Sequence, residues 1–116
     1  MKGIYYINER CCLNGLSIEE SMNLQKESIK QYLSNHNIET VKLNPFQLYD
    51  HYTILHALLY DLKKDPIRLD CFIYYSPDVI EDFIYSYPAK WLILKSYFKE
   101  FISIEAKSDF HIPKAL

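Results

Sequence analysis

The sequence predicts a three-layer α/β domain on a mainly parallel sheet of about four strands. Three observations predict it. Short β-branched and aromatic runs alternate with longer stretches of helical apolar spacing, the order that a parallel sheet requires. The run at 69–75 is almost continuously apolar, as a strand covered on both faces should be. A length of 116 residues with 49% apolar content suits one core, so 1–116 is read as a single domain.

Residues 2–8 read as the first strand, after which Glu9 and Arg10 are polar and Asn14-Gly15 breaks the chain. Ser17-Ile18-Glu19-Glu20 fits a capping box opening a helix to about Asn35, although Ser21 could equally be the cap. Ile18, Met22, Ile29 and Leu33 recur near helical spacing, with Tyr32 widening the stripe. Residues 38–43 form a short strand, and Asn44-Pro45 a turn. A second helix is expected over about 50–64, with Ile54/Leu55, Leu58/Leu59 and Leu62 on one face and Asp65-Pro66 as its stop. The strand at 69–75 follows. Ser76-Pro77-Asp78 then opens a short helix, with Ser as N-cap, Pro at N1 and acids in the first turns. Pro88 opens a further helix to about Lys99, residues 101–105 are the last strand, and 106–116 are an irregular tail.

Composition excludes several classes. The net charge is −2 and the pI about 6.1, so nothing pulls the whole molecule toward nucleic acid or an anionic membrane. No apolar stretch approaches the roughly 18 residues of a membrane span, and there is no signal-peptide pattern. Cys11 and Cys12 are adjacent, which rarely suits a disulfide, and Cys71 lies inside an apolar run; a reduced, cytoplasmic protein is expected. There is no C-x-x-C and no His pair at i,i+4, and His51 and His56 point to different faces of a helix. No metal or other cofactor is expected. The Lys-, Ile-, Asn- and Tyr-rich composition is what an AT-rich genome encodes, which points to a low-GC bacterium or its phage.

Segment order and two short motifs resemble the catalytic domain of the serine recombinases, the resolvase/invertase family. That family opens with a strand of pattern Tyr-x-Arg-x-Ser and soon after has Ser-Leu-x-x-Gln starting its first helix. Here Tyr6-Ile7-Asn8-Glu9-Arg10 and Ser21-Met22-Asn23-Leu24-Gln25 stand in those places. The segments 26–43, 50–62, 69–82 and 101–109 follow the family order, so the resemblance spans nearly the whole chain. It implies a resolvase-like fold. The chemistry that it implies is mostly missing. The attacking serine aligns with Arg10, or with Glu9 if Tyr5 leads, and the strand arginine becomes Asn8. The other family arginines become His51, Val79 and Asp82. Of the family pocket there remain Tyr6, Ser21, Gln25 and Asp78, the last three with structural explanations of their own.

The scarcity of arginine points the same way. Stabilising a pentacoordinate phosphate without metal needs several converging guanidiniums. Of 13 basic residues only Arg10 and Arg68 are arginine, and Arg68 precedes the third strand, at its wrong end. A pseudoenzyme without DNA-cleaving activity is therefore expected. The chain also stops about where the family's long dimer helix would begin, so any dimer is expected to differ from the recombinase dimer.

The surviving residues carry alternative readings. Arg10 either binds an anion at the carboxyl edge of the sheet or pairs with Glu9, Glu19 or Asp78. Cys11 and Cys12 are either packing residues or a low-pKa nucleophilic site, though no His base has a convincing place beside them. Asp78, Glu81 and Asp82 suit a helix start and make the former pocket rim acidic. Tyr75, Tyr85, Tyr87, Trp91 and Tyr97 are either core packing or an aromatic protein-docking patch. Base stacking on single-stranded nucleic acid would need interleaved basic residues, and only Lys90, Lys95 and Lys99 are near. The expected function is a regulatory protein-binding module whose partner is a bacterial or phage regulator or an active recombinase. The alternatives are a DNA-associated accessory factor, weak in DNA binding because of the acidic pI, or a small Cys-dependent enzyme.

Overall fold

Gly3 sits where the first strand meets the third, and the meeting is close. A Cβ on Gly3 would lie 2.7 Å from Cys71 Sγ and 3.0 Å from Cys71 O. The computed structural model describes residues 1–105; the expected tail at 106–116 lies outside the described residues. Strand β1 (Lys2–Tyr5) leads through a single turn of 3-10 helix at Leu13–Gly15 into α1 (Ile18–Asn35). Then come β2 (Glu39–Thr40), α2 (Leu55–Lys64), β3 (Leu69–Tyr74), α3 (Glu81–Ser86), α4 (Pro88–Lys95) and β4 (Phe98–Ser103).

The four strands are all parallel, in the order β2-β1-β3-β4. Gly3 pairs with Cys71, Ile4 with Phe72 and Tyr5 with Ile73; Phe72 in turn pairs with Phe101. Side chains alternate along a strand, and the core divides accordingly. Ile4, Tyr6, Phe72 and Tyr74 join Leu58, Leu62, Ile84, Trp91 and Leu94 from α2, α3 and α4 on one face. Tyr5, Ile7, Cys71 and Ile73 join Ile29 of α1 on the other. This is the three-layer arrangement expected from the sequence.

Local signals set several boundaries. Ser17 Oγ accepts from Glu20 N–H at 3.1 Å while Glu20 Oε1 accepts from Ser17 N–H at 3.0 Å, so the capping box forms with Ser17 as the cap. Asn14 at φ 52° and Gly15 at φ 77° make the break before α1.

Other boundaries move. β1 spans Lys2–Tyr5, and the chain stays extended one residue further: Tyr6 N–H donates to Ile73 O at 2.9 Å while Tyr6 bridges in parallel to Tyr52. Tyr52 N–H donates to Tyr5 O at 3.1 Å, and Ile7 N–H donates to Tyr52 O at 2.9 Å. That extended pairing holds the segment open, so α2 starts at Leu55 rather than near Asp50. α4 stops at Lys95, and Phe98 already pairs with Leu69, so β4 begins before residue 101. The aromatic stretch Tyr97-Phe98 fits either period, and contact with β3 decides it. Ser76 makes no side-chain cap; Pro77–Val79 is a 3-10 turn ahead of α3.

Candidate functional site

The sheet order runs from β1 outward to β2 on one side and to β3 on the other. A crevice opens at such a reversal, outside the carboxyl ends of the strands. Here it is a cleft of about 400 Å³ whose lining includes Tyr6, Asn8, Glu9, Arg10, His56, Val79, Phe83 and Tyr87.

Its framework begins on α1. Gln25 is fully buried and grips the backbone of Asn8 twice, accepting from Asn8 N–H at 2.8 Å and donating to Asn8 O at 2.9 Å. Ser21, also fully buried, accepts from Leu13 N–H at 3.3 Å and lies 3.5 Å from Gln25 Nε2. Asn8 then ties both sides together. Its amide donates to Val79 O at 2.9 Å beyond β3, and its Oδ1 accepts from Arg10 N–H at 2.9 Å. Ser21, Gln25 and Asn8 therefore shape the loop after β1, with their polar atoms turned to the protein itself.

Arg10 is exposed, and among the described residues its guanidinium makes no ion pair; none of Glu9, Glu19 or Asp78 takes it. Tyr6 is 7% exposed, and burial pushes its phenol up to about 12, with the Cys11, Asp82 and Glu9 charges adding to the rise and Arg10 opposing it. Its hydroxyl makes no hydrogen bond among the described residues. Asp78 is exposed at the 3-10 turn.

His51 does not join this cleft. It is buried with its ring stacked on Tyr49, centroids 5.1 Å apart, and tilted on Tyr5 at 5.3 Å, and Tyr5 belongs to the α1 face of the sheet. The parallel pairing of Tyr52 with β1 sends the preceding residue to the opposite face from Tyr6. Desolvation, with Lys26 next, holds the His51 pKa below the ordinary value. The residue the motif reading passed over is His56, which lines the cleft edge-on to Tyr87 at 4.5 Å and to Phe83 at 5.1 Å. Its place depends on where α2 begins, which no local signal states.

The cysteines are separated by environment. Cys71 is buried in the sheet and desolvation raises its thiol to about 11. Cys11 is half-buried, and desolvation followed by the Asp78 charge raises its pKa too, the opposite of what a thiolate nucleophile needs. Cys12 is exposed.

The five aromatics considered for docking do not form one surface. Tyr75 and Trp91 are buried, Trp91 standing edge-on to Phe101 at 5.0 Å, and Tyr97 is half-buried. Only Tyr85 and Tyr87 are exposed. Trp91 is the inward ring of α4 and covers Phe101. Exposed apolar side chains gather elsewhere, on the long connection between β2 and α2. Phe46 is 89%, Leu48 87%, Ile54 58% and Tyr49 56% exposed, around a groove of about 310 Å³. A connection carries no period that would mark this cluster, although Phe46-Gln47-Leu48-Tyr49 is apolar for a loop.

No group of three or more His, Cys, Asp or Glu among the described residues is placed to hold a metal ion, and no helix there is long and apolar enough to cross a membrane. No family model matches the chain, and no curated protein or solved structure is significantly similar to it.

Proposed function

We propose that this domain is a non-catalytic protein-binding module on a serine-recombinase-like frame, whose partner is a bacterial or phage regulator or an active recombinase. The observation that carries the reading is the cluster of Phe46, Leu48, Tyr49 and Ile54 beside its groove. Single exposed apolar residues are ordinary, but several on one segment around a concavity mark an interface. The cleft supports the non-catalytic half of the reading. It offers one guanidinium, Arg10, where phosphoryl chemistry without metal needs several. Its most buried polar residues are spent on Asn8 and its loop.

The test is purification of the tagged protein from host lysate, with and without nuclease, beside a Phe46→Ser/Leu48→Ser/Tyr49→Ser variant of unchanged melting temperature. A single stoichiometric protein that survives nuclease and is lost with the triple substitution supports the reading. Capture that is unaffected by the substitutions, or that vanishes with nuclease, overturns it; the second result favours DNA association.

A further inference from the structure

The groove beside Phe46 and the cleft above Tyr6 are neighbours. Thr53 and Ile54 line both, so Ile54 is a ridge between an apolar hollow of about 310 Å³ and a mixed one of about 400 Å³. Anything that seats side chains over Ile54 can reach both.

The two hollows differ in chemistry. The first is walled by Phe46, Leu48, Tyr49 and Ala57, with Asp61 taken up by the Tyr52 hydroxyl at 2.6 Å. The second is electrically lopsided. Glu9 and Asp82 line it, and the same Asp82 together with Asp78 and Glu81 acts on the adjoining Cys11. Two carboxylates, Glu9 and Asp82, thus line the cleft against the single guanidinium of Arg10. The aromatic edge of His56, Phe83 and Tyr87 is also there, and such rings favour a cation at their faces. Lys90, 5.2 Å from the Tyr87 centroid, already uses that attraction from within the chain. Tyr6, 7% exposed as a residue, lines the cleft too, and its hydroxyl makes no hydrogen bond among the described residues. A hydroxyl without a protein partner in the lining of a cleft is a group that a ligand donor can complete.

We infer that the two hollows form one composite docking surface for a protein segment that carries a lysine or arginine beside apolar anchors. The anchors fill the Phe46 groove, and the basic side chain crosses Ile54 into the cleft, where Glu9 and Asp82 neutralise it and Tyr6 accepts a hydrogen bond from it. This rests on the protein-binding reading above and specifies its partner.

The experiment is selection of random 12-residue peptides displayed on phage against the intact protein, followed by affinity measurement on the recovered peptides. The expected sequences combine one Lys or Arg with two apolar or aromatic residues. Their binding should weaken roughly fivefold for each of Glu9→Gln and Asp82→Asn, and further with added salt, as exposed charge pairs do. Tyr6→Phe should weaken them as well. Lys99→Ala, remote on β4, should leave them unchanged. Peptides without basic enrichment, or binding that is lost in the Phe46→Ser/Leu48→Ser variant but indifferent to Glu9→Gln and Asp82→Asn, overturn the composite surface while leaving the loop as a docking site. Peptides indifferent to the Phe46 and Leu48 substitutions, or no selectable peptide at all, overturn both.

Discussion

Replacing Gln25 by Met keeps the side chain's length and removes both of its hydrogen bonds to Asn8. Those bonds, at 2.8 and 2.9 Å, are made by a residue that is fully buried. A net hydrogen bond is worth about 1 kcal/mol, and a donor or acceptor left dry costs about 1–3 kcal/mol. Asn8 is only half-buried, so water recovers part of that cost, and the expected loss is about 2–4 kcal/mol. In a domain of this size that lowers the melting temperature by roughly 8–16 °C. Circular dichroism during heating and urea titration reads both quantities. Gln25→Glu sharpens the test through its sign. A buried carboxylate facing the Asn8 carbonyl is held protonated in the folded state, so its folded pKa rises above the unfolded value. The folded state then binds the extra proton, and stability relative to wild type is lost as pH rises from about 4.3 through the folded pKa. The Glu variant should therefore approach wild type at pH 4 and fall behind at pH 7. A Met variant as stable as wild type, or a Glu variant whose deficit ignores pH, would refute the role assigned to Gln25.

Three further outcomes are expected. His51, whose folded pKa is depressed by burial and by Lys26, should make stability fall as pH drops below about 6.5, because the unfolded chain takes up the proton first. His51→Phe, which preserves stacking on Tyr49, should lack that part of the slope; identical pH profiles for the two would count against the buried neutral ring. Gly3→Ala should destabilise by about 1–3 kcal/mol, since its methyl would meet Cys71 in a filled sheet; an unchanged urea midpoint would contradict that packing. Thiol titration at pH 7.5 should label Cys12 first, Cys11 more slowly and Cys71 only in denaturant. Rapid alkylation of Cys11 would instead reopen Cys-dependent chemistry.

What the sequence by itself determined about this protein is local. A capped helix start at Ser17 or Ser21, the break at Asn14-Gly15, the stop at Asp65-Pro66 and the doubly buried run that became β3 are each written in a few adjacent residues. Their order was enough to predict a parallel sheet between helices, because parallel strands need crossovers and continuous apolar runs need cover on both sides. The shortage of arginine was equally legible, since it is a count. Only the tertiary structure decided the rest. Tyr52 is extended because β1 offers it backbone partners, and that pairing delays α2, turns His51 to the α1 face and leaves His56 at the cleft. Phe98 is a strand residue because Leu69 lies beside it. Trp91 and Tyr75 are core while Phe46 and Leu48 face water, an inversion that aromatic content alone cannot reveal. Each of these outcomes depends on a partner distant in the chain, and side-chain type and spacing carry no record of which partner will arrive.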